Sequence, residues 1–476
     1  MRTSPSYTAS YRLDLDEGQT SIAGVVAAVV ETGAQIKGLD VADSDRGRLI
    51  VDVTCDMRDS EHRRQVEAVL DSLPGVATSS VADQTFLSHI GGKIELASKV
   101  PLRNRDDLSR AYTPGVARVC TAIHDMPQKA HLLTMKANSV AVVSDGTAVL
   151  GLGDIGPEAA LPVMEGKAVL FKQFGNVDAW PVVLDTKDTD EIVRIVKAIA
   201  PAYGGINLED ISAPRCFEIE ERLRAELDIP VFHDDQHGTA IVVLAALLNA
   251  LKIVGKRIED VRIVVSGVGA AGNAIIKLLM AQGATDIVGY GRSGALNADE
   301  VSDDMHPARR WLAENTNPRR VKGSLAEGLR DADVFIGVSQ GNILTAEDVA
   351  TMAKDSIVFA LANPTPEVDP IAAAQYARIV ATGRSDYPNQ INNVLAFPGL
   401  FRGLLDAKVK EITTEVLRVA AVAIADVISV DELGANYIIP GVFDERVPRA
   451  VSRAVRQAVR DLPTVDIPVQ EHLGTC

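Results

Sequence analysis

The chain has 476 residues, which is too long for one ordinary domain and predicts two or three. Its 47% hydrophobic and 24% charged residues are typical of a soluble globular protein. The net charge of −16 argues against a nucleic-acid partner, because such binders concentrate positive charge. No stretch approaches the roughly 18 apolar residues that span a bilayer, and the polar start lacks a signal-peptide core. Four scattered cysteines without a CxxC pair favour reduced thiols. We therefore expect a cytoplasmic protein that contacts neither membrane nor nucleic acid.

Residues 1–85 predict a small unit with the order βαββαβ. Its strands are expected at 7–15, 34–41, 48–54 and 76–82, and its helices at 22–32 and 60–73. This order resembles the ferredoxin-like ACT domain, whose members typically bind small molecules and regulate an attached enzyme. A dimerising cap without a ligand is the alternative interpretation. Both interpretations predict an oligomer.

Residues 86–239 predict a second domain, in which helices and short strands alternate after a charged connector. We expect strands at 140–143, 148–150, 182–184 and 229–232, and helices at 163–174, 188–200 and 241–251. A glycine loop, residues 151–156, lies between the second strand and the first helix.

Residues 240–400 predict a third domain, with short continuous apolar runs typical of buried parallel strands. These runs are 262–266, 286–290, 334–338, 357–360 and 379–381, and a helix is expected at 273–282. Residues 401–476 predict helices at 413–427 and 446–461 that pack back on the core. The whole pattern favours the α/β class with a Rossmann-type doubly wound parallel sheet.

A glycine motif, Gly267-Val-Gly269-Ala270-Ala271-Gly272, directly follows the strand 262–266 and opens a helix. In that context the GxGxxG spacing predicts dinucleotide binding, since its glycines let a pyrophosphate approach the helix N-terminus. An acid at the end of the next strand would favour NAD. Here Gly291, Arg292 and Ser293 stand there, and an arginine with a serine can accept a 2′-phosphate. The cofactor is therefore expected to be NAD or NADP, with a preference for NADP.

Two acidic pairs follow apolar segments, and they suggest a site for a hard divalent cation. Glu209, Asp210 and Asp235 supply the oxygen ligands that Mg²⁺ or Mn²⁺ prefers, although loop acids are more often simply solvated. His233 and His237 invite a zinc interpretation. Gly238 and the short strand before them argue against a shared helix face.

Lys167 lies in a mostly apolar helix start, where partial withdrawal from water would lower its pKa and make it a base. A solvated surface lysine is the alternative. Tyr112, at a proline-glycine turn, is a candidate proton donor or a packing residue.

Taken together, several stretches in fixed order resemble the malic enzyme family, of the bacterial type, over roughly residues 86–460. They are Tyr112-Thr-Pro-Gly-Val, Ser144-Asp-Gly-Thr-Ala-Val-Leu-Gly-Leu-Gly-Asp-Ile-Gly, Glu165-Gly-Lys, Glu209-Asp210, Asp234-Asp235-Gln-His-Gly-Thr, the glycine motif, Asn363-Pro-Thr-Pro-Glu and Asn392-Asn-Val-Leu-Ala-Phe-Pro-Gly. The resemblance implies oxidative decarboxylation of L-malate to pyruvate and CO₂, by a homodimer or larger oligomer.

The resemblance also implies roles for individual residues. Lys167 would be the general base, Asp234 its ion partner and Tyr112 the acid that protonates C3 of enolpyruvate. Glu209, Asp210 and Asp235 would hold the metal, whereas Asn363 and Asn393 would bind the substrate carboxylate.

Two departures from the family pattern stand out. Ala148 or Val149 occupies the place of an arginine that grips malate in the eukaryotic branch, and Gly291 unsettles the cofactor preference. Two rival functions stay open. One is an ACT-regulated dehydrogenase of an amino acid or another small acid, and the other is a regulatory nucleotide-binding protein without chemistry.

Overall fold

The computed structural model describes residues 3–45, 47–149 and 151–462. The chain forms two compact units, Met1–Leu96 and Ala97–Cys476. Leu150, in one expected strand, and Cys476 lie outside the described residues.

The N-terminal unit has the expected order βαββαβ. Its elements are β1 (Ser4–Asp16), α1 (Ile22–Glu31), β2 (Gln35–Asp45), β3 (Arg48–Met57), α2 (Ser60–Ser72), β4 (Val76–Asp83) and α3 (Gln84–Leu87). The strands form one antiparallel sheet in the order β2-β3-β1-β4, the arrangement of a ferredoxin-like fold.

Local signals explain why the two long helices of this unit form where the sequence predicts them. Ser21 and Asp59 cap α1 and α2 by accepting hydrogen bonds from the backbone N–H groups of Gly24 and His62. The buried faces of the helices, at spacings of three and four residues, cover the apolar face of the sheet.

The second unit begins with short helices and continues into a four-stranded parallel sheet. The elements are α4 (Arg105–Ala111), α5 (Val116–Asp125), α6 (Ala130–Leu133), β5 (Ser139–Ser144), α7 (Pro157–Gly175), β6 (Asp178–Val183), α8 (Thr189–Ile199), β7 (Gly205–Leu208), α9 (Arg215–Glu226) and β8 (Val231–His233). The strand order is β6-β5-β7-β8, with every neighbouring pair parallel. Of the expected strand at 148–150, the described residues Ala148 and Val149 belong to no named strand, and Val149 makes an isolated bridge to Gly153.

A six-stranded sheet follows the central helix α10 (Thr239–Val254). Its elements are β9 (Arg262–Ser266), α11 (Ala270–Ala281), β10 (Asp286–Gly291), β11 (Gly294–Ala295), α12 (Pro307–Asn315), α13 (Leu325–Gly328), β12 (Val334–Gly337), α14 (Ala346–Ala350), β13 (Ile357–Ala360), α15 (Pro370–Ala373) and β14 (Ile379–Thr382). The order is β11-β10-β9-β12-β13-β14, parallel except for the β10–β11 pair. The expected doubly wound sheet is confirmed, with its switch point at the carboxyl end of β9.

Three helices complete the unit: α16 (Phe397–Ala407), α17 (Thr414–Ala425) and α18 (Arg446–Ala458). One apolar core joins both sheets through α10. The stretch Asp234–Val254 has 21 residues, and an 18-residue window within it has a mean hydropathy of 1.8, which is long and apolar enough to cross a membrane. Our expectation that no stretch approaches this length was therefore wrong. Since 67% of it is buried in the protein, it is a core helix, which is apolar on every side.

Candidate functional site

Four acids gather at one edge of the parallel sheet because two neighbouring strands end there. Glu209 and Asp210 follow β7, whereas Asp234 and Asp235 follow β8. Parallel neighbours bring their carboxyl ends to the same edge. Asp234 and Asp235 begin a π-helical turn, Asp234–Gly238, that leads into α10, and such turns are frequent at functional sites.

Glu209, Asp210 and Asp235 each offer a carboxylate oxygen, and these three oxygens lie within 4.8 Å of one another. No other trio of His, Cys, Asp or Glu side chains is so arranged in the described part of the chain. The backbone N–H of Asp210 donates to Asp235 Oδ2 at 2.8 Å. Asp210 adopts a left-handed conformation with φ of 54°, which is uncommon outside glycine and clusters at functional sites.

The electrostatics of this trio favour a cation. Burial and the neighbouring Asp235 raise the pKa of Asp210 to about 7, and burial raises the pKa of Glu209 well above its usual value. Asp210 Oδ2 is buried and has no hydrogen-bond partner. A divalent cation would satisfy that oxygen and offset the repulsion, and Mg²⁺ and Mn²⁺ both prefer such ligands. The residues therefore fit the expected metal.

The two histidines do not join this trio as a second metal pair. His237 Nε2 lies 2.7 Å from Glu220 Oε1 on α9, whereas His233 Nε2 faces Asp235 Oδ2 at 3.1 Å. Since the rings engage different carboxylates, the geometry gives no support to zinc binding by this pair.

Lys167 reaches the acids from α7. Its Nζ donates to the carboxylates of Asp234 and of Glu209, the latter at 3.0 Å, and lies 4.0 Å from the ring centroid of Phe397. The sequence predicted a lowered pKa. That direction was wrong: burial does disfavour the ammonium, but Asp234 and Glu209 outweigh it and raise the pKa of Lys167.

Asn393, in the segment before α16, lies beside the lysine's ion partner. Its Nδ2 donates to Asp234 Oδ2 and to Thr239 Oγ1, both at 3.1 Å. Asn393 therefore orients Asp234 in this structure. Its predicted contact with a substrate carboxylate stays a prediction.

Asn363 follows β13 and comes close to the glycine loop of the other sheet. A Cβ on Gly151 would lie 2.6 Å from the Asn363 carbonyl oxygen, and one on Gly383 would lie 3.0 Å from Asn363 Nδ2. The exposed amide of Asn363 thus stands where loops of both sheets meet.

Tyr112 is not joined to these groups. Its side chain is 67% exposed, and among the described residues no hydrogen bond or ion pair links its hydroxyl to Lys167 or the acids. Of the two residues expected at the place of the eukaryotic branch's arginine, Val149 is buried and apolar and Ala148 is exposed.

The glycine motif lies at the switch point of the six-stranded sheet. Gly267 has φ of 98°, and a Cβ there would lie 2.5 Å from the Val338 carbonyl oxygen. A Cβ on Gly272 would lie 1.7 Å from the Gly267 carbonyl oxygen. Both positions therefore require glycine. Helix α11 begins at Ala270, in the middle of the motif, with Gly269 as its cap.

A cavity of about 580 Å³ lies beyond the end of β10, and Arg292, Ser293 and Lys322 are among its lining residues. Arg309, at the start of α12, donates from Nη2 to Ser293 Oγ at 2.9 Å. Sequence reasoning missed Arg309 and Lys322. The only sign of them in the sequence is that Arg309 is a basic residue at the start of α12 and Lys322 is another in the loop after that helix.

A second group of residues had no predicted role: Arg215 and Ser212 lie outside the recognised motifs, and Asp145 and Thr147 lie inside one. Arg215 donates to Thr147 Oγ1 at 2.9 Å and pairs with Asp145 at 2.7 Å, and Thr147 Oγ1 accepts from the Ser212 N–H. These contacts tie the loop after β5 to the loop that carries Asp210.

A parallel sheet with a buried acid and lysine cluster, coupled to a dinucleotide-binding sheet, defines an α/β oxidoreductase. Two family models match most of the second unit: the malic enzyme N-terminal domain over residues 91–224, and the malic enzyme NAD binding domain over residues 236–461. The chain belongs to the malic enzyme family.

Similar proteins agree with this assignment. An NAD-dependent malic enzyme of Geobacillus stearothermophilus is 58% identical over 447 residues, 94% of this chain and 93% of that protein. A bifunctional malic/malolactic enzyme of Bacillus subtilis is 55% identical over 79% of this chain and 92% of its own length. The solved NAD-dependent malic enzyme of Thermotoga maritima is 49% identical, with a TM-score of 0.76 over 79% of this chain and 99% of that one. The Geobacillus match is long enough to extend into the N-terminal unit.

Proposed function

We propose that this chain catalyses the oxidative decarboxylation of L-malate to pyruvate and CO₂, with a divalent metal and with reduction of NAD or NADP. The observation that carries the proposal is the buried Lys167 ammonium between Asp234 and Glu209. One of those partners, Glu209, also belongs to the acid trio. The names of the similar proteins support the same substrate.

In this proposal Lys167 takes the proton of the C2 hydroxyl while hydride passes to the nicotinamide. Asp234, oriented by Asn393, holds the lysine in position. Because Asp234 and Glu209 raise the pKa of Lys167, the lysine has to lose its proton before it acts as a base. A cation bound to Glu209 would weaken the attraction of that carboxylate for the Lys167 ammonium, which is one of the two attractions that retain the proton.

Glu209, Asp210 and Asp235 would hold the Mg²⁺ or Mn²⁺, which would supply Lewis-acid stabilisation of the negative charge that develops on the substrate oxygen. Asn363 and Asn393 are proposed to bind the substrate carboxylate. Tyr112 is proposed to donate the proton to C3 of enolpyruvate. Since this tyrosine is exposed, further groups would have to cover it during the reaction.

The preference for NADP stays part of the proposal. Arg292 and Ser293 at the end of β10 support it, and Arg309 and Lys322 add positive charge beside them. Gly267, Gly269, Ala270, Ala271 and Gly272 are proposed to carry the pyrophosphate.

We further propose a homodimer or larger oligomer in the cytoplasm. Helices α4 and α5 bury no side chain in the single chain. The nearby exposed apolar residues form an extended set: Val100, Leu102, Leu108, Tyr112, Leu132, Leu133 and Met135. Exposed apolar surface of this kind typically marks an interface.

The proposed domain assignment keeps the predicted boundaries. Residues 1–85 would be an ACT-like regulatory domain, supported by the antiparallel β2-β3-β1-β4 sheet. Residues 86–239 would carry the catalytic groups and residues 240–400 the cofactor. Residues 401–476 would cover the core, which the contact of Phe401 with Phe171 supports.

The decisive experiment follows reduced-nicotinamide absorbance with L-malate and Mn²⁺, separately with NAD and NADP, while pyruvate is assayed. Equal amounts of reduced cofactor and pyruvate would establish the reaction. Turnover only with an amino acid, with ammonia released, would favour the rival dehydrogenase. Binding of cofactor and Mn²⁺ without turnover of any such substrate, even after amino acids are added as activators, would favour the regulatory protein.

A further inference from the structure

A buried carboxylate on α9 has no role in the proposed reaction. Glu220 is 6% exposed. It accepts hydrogen bonds from Gln236 Nε2 at 2.9 Å and from His237 Nε2 at 2.7 Å. Arg224 stands farther away, at 3.8 Å. Both close donors come from the turn that carries Asp235, so Glu220 is attached to the acid trio through that turn.

The donor pattern fixes the amide of Gln236. An ionised carboxylate only accepts hydrogen bonds, so the Gln236 nitrogen, rather than its oxygen, must face Glu220. The same nitrogen lies 2.8 Å from His233 Nδ1 and has a second hydrogen to give. His233 Nδ1 is therefore the acceptor, and the ring proton belongs on Nε2.

The other side of the His233 ring faces the acid trio. Nε2 lies 3.1 Å from Asp235 Oδ2, in a contact too bent to make a standard hydrogen bond. The thiol of Cys216 is the other polar group beside this buried ring. Asp235 Oδ2 also accepts from the Asp210 N–H at 2.8 Å. Both groups thus approach the same carboxylate oxygen: the peptide N–H makes the hydrogen bond, and the imidazole restricts the rotation of the carboxylate by its close contact and its dipole.

We propose that Glu220 is a positioning residue for the metal site. It acts through Gln236 and His233 to hold the Asp235 carboxylate in the rotation that a divalent cation requires. This inference rests on the proposed metal trio. Groups that orient metal ligands in this way typically change metal affinity by about 10- to 100-fold when they are replaced.

The test is an equilibrium titration of the full-length protein with Mn²⁺ alone, in which free Mn²⁺ is followed by its paramagnetic resonance signal. Glu220→Gln keeps the shape of the side chain but removes the obligatory acceptor, so Gln236 no longer has a fixed orientation. We expect the Mn²⁺ Kd to rise about tenfold or more. The Kd for the nicotinamide cofactor should stay unchanged, because the glycine motif lies on the other sheet.

A matched control lies on the same helix. Glu218 is exposed and pairs with Arg222 at 3.0 Å, so Glu218→Gln should leave both Kd values as in the wild type. If Glu220→Gln does not fold, Gln236→Met interrupts the same connection while leaving the Glu220–His237 contact. The same loss of Mn²⁺ affinity is then expected.

Asp235→Asn separates this inference from the proposed function. Wild-type Mn²⁺ affinity in Asp235→Asn would overturn the metal trio itself, and the role of Glu220 with it. Loss of Mn²⁺ in Asp235→Asn but wild-type affinity in folded Glu220→Gln would overturn the role of Glu220 alone. A lowered unfolding temperature with equal weakening of Mn²⁺ and cofactor would show a merely structural residue, which also contradicts the inference.

Discussion

The backbone N–H of Asp210 donates to Asp235 Oδ2 at 2.8 Å, which joins the ends of two neighbouring strands. Asp210 itself has a left-handed φ of 54°. The Oδ2 atom of Asp210 is buried and has no hydrogen-bond partner. The backbone therefore holds the three carboxylates close together, and their electrostatic repulsion is the cost of that arrangement.

The raised pKa of Asp210 predicts a pH-dependent metal affinity. Below about pH 7 the carboxyl is protonated, and the proton competes with the cation. The Mn²⁺ affinity should rise about tenfold per pH unit up to that value and level off above it. Titrations at several pH values measure it. Asp210→Asn should bind weakly and lose this slope, and a flat wild-type profile would contradict the prediction.

Removal of Lys167 should abolish turnover without removing the metal. Lys167→Ala takes away the proposed base, so we expect malate oxidation to fall by about 10²- to 10⁴-fold. Mn²⁺ binding and the circular dichroism spectrum should persist. Lys172→Ala, on an exposed position of the same helix, is the control and should keep its activity. Near-normal activity of Lys167→Ala would refute the assignment of the base.

Arg292→Ala should weaken the binding of NADP far more than the binding of NAD. Loss of a hydrogen bond to a charged phosphate costs about 1.5–3 kcal/mol, so the Kd for NADP should rise by about ten- to a hundredfold. NAD lacks that phosphate, and its Kd should stay within about twofold. Fluorescence titration with both reduced cofactors measures this difference. Arg453→Ala on α18 is the control, and equal effects on the two cofactors would argue against NADP preference.

Tyr112→Phe tests the proposed proton donor. The side chain is 67% exposed, so its hydroxyl should matter little for the unfolding temperature. We expect kcat to fall by about 10²-fold with little change in KM for malate. Tyr376→Phe, at another exposed tyrosine, should leave kcat unchanged. An unchanged kcat in Tyr112→Phe would remove this residue from the reaction.

Much of the fold was predictable because its signals are local. The spacing of apolar residues predicted both N-terminal helices to within a residue or two, and the structure shows local side-chain caps for them at Ser21 and Asp59. The glycine motif is an equally local signal, since the backbone leaves no room for a side chain at positions 267 and 272. Within the strand expected at 148–150, Val149 instead bonds through its N–H to the Gly153 carbonyl of its own loop, so this described residue pairs locally and not with a neighbouring strand.

The sequence grouped the acids with Lys167, and the structure brings these groups together, but their electrostatics could not be predicted. The acids could be grouped because parallel strands end at one edge. The direction of the Lys167 pKa could not be predicted, because the two carboxylates that raise it lie 42 and 67 residues away along the chain. The contact of Arg309 with Ser293 and that of Glu220 with Gln236 were missed for the same reason.

By itself, then, the sequence determined the order of elements, the position of the dinucleotide turn and the family of the chain. Apolar periodicity, caps and glycine spacing act between residues that are neighbours along the chain. Only the tertiary structure decided which charged groups meet, the direction of the lysine pKa and the orientation of Asp235. Coulomb and hydrogen-bond energies depend on distances in space and on burial, and no local pattern contains those.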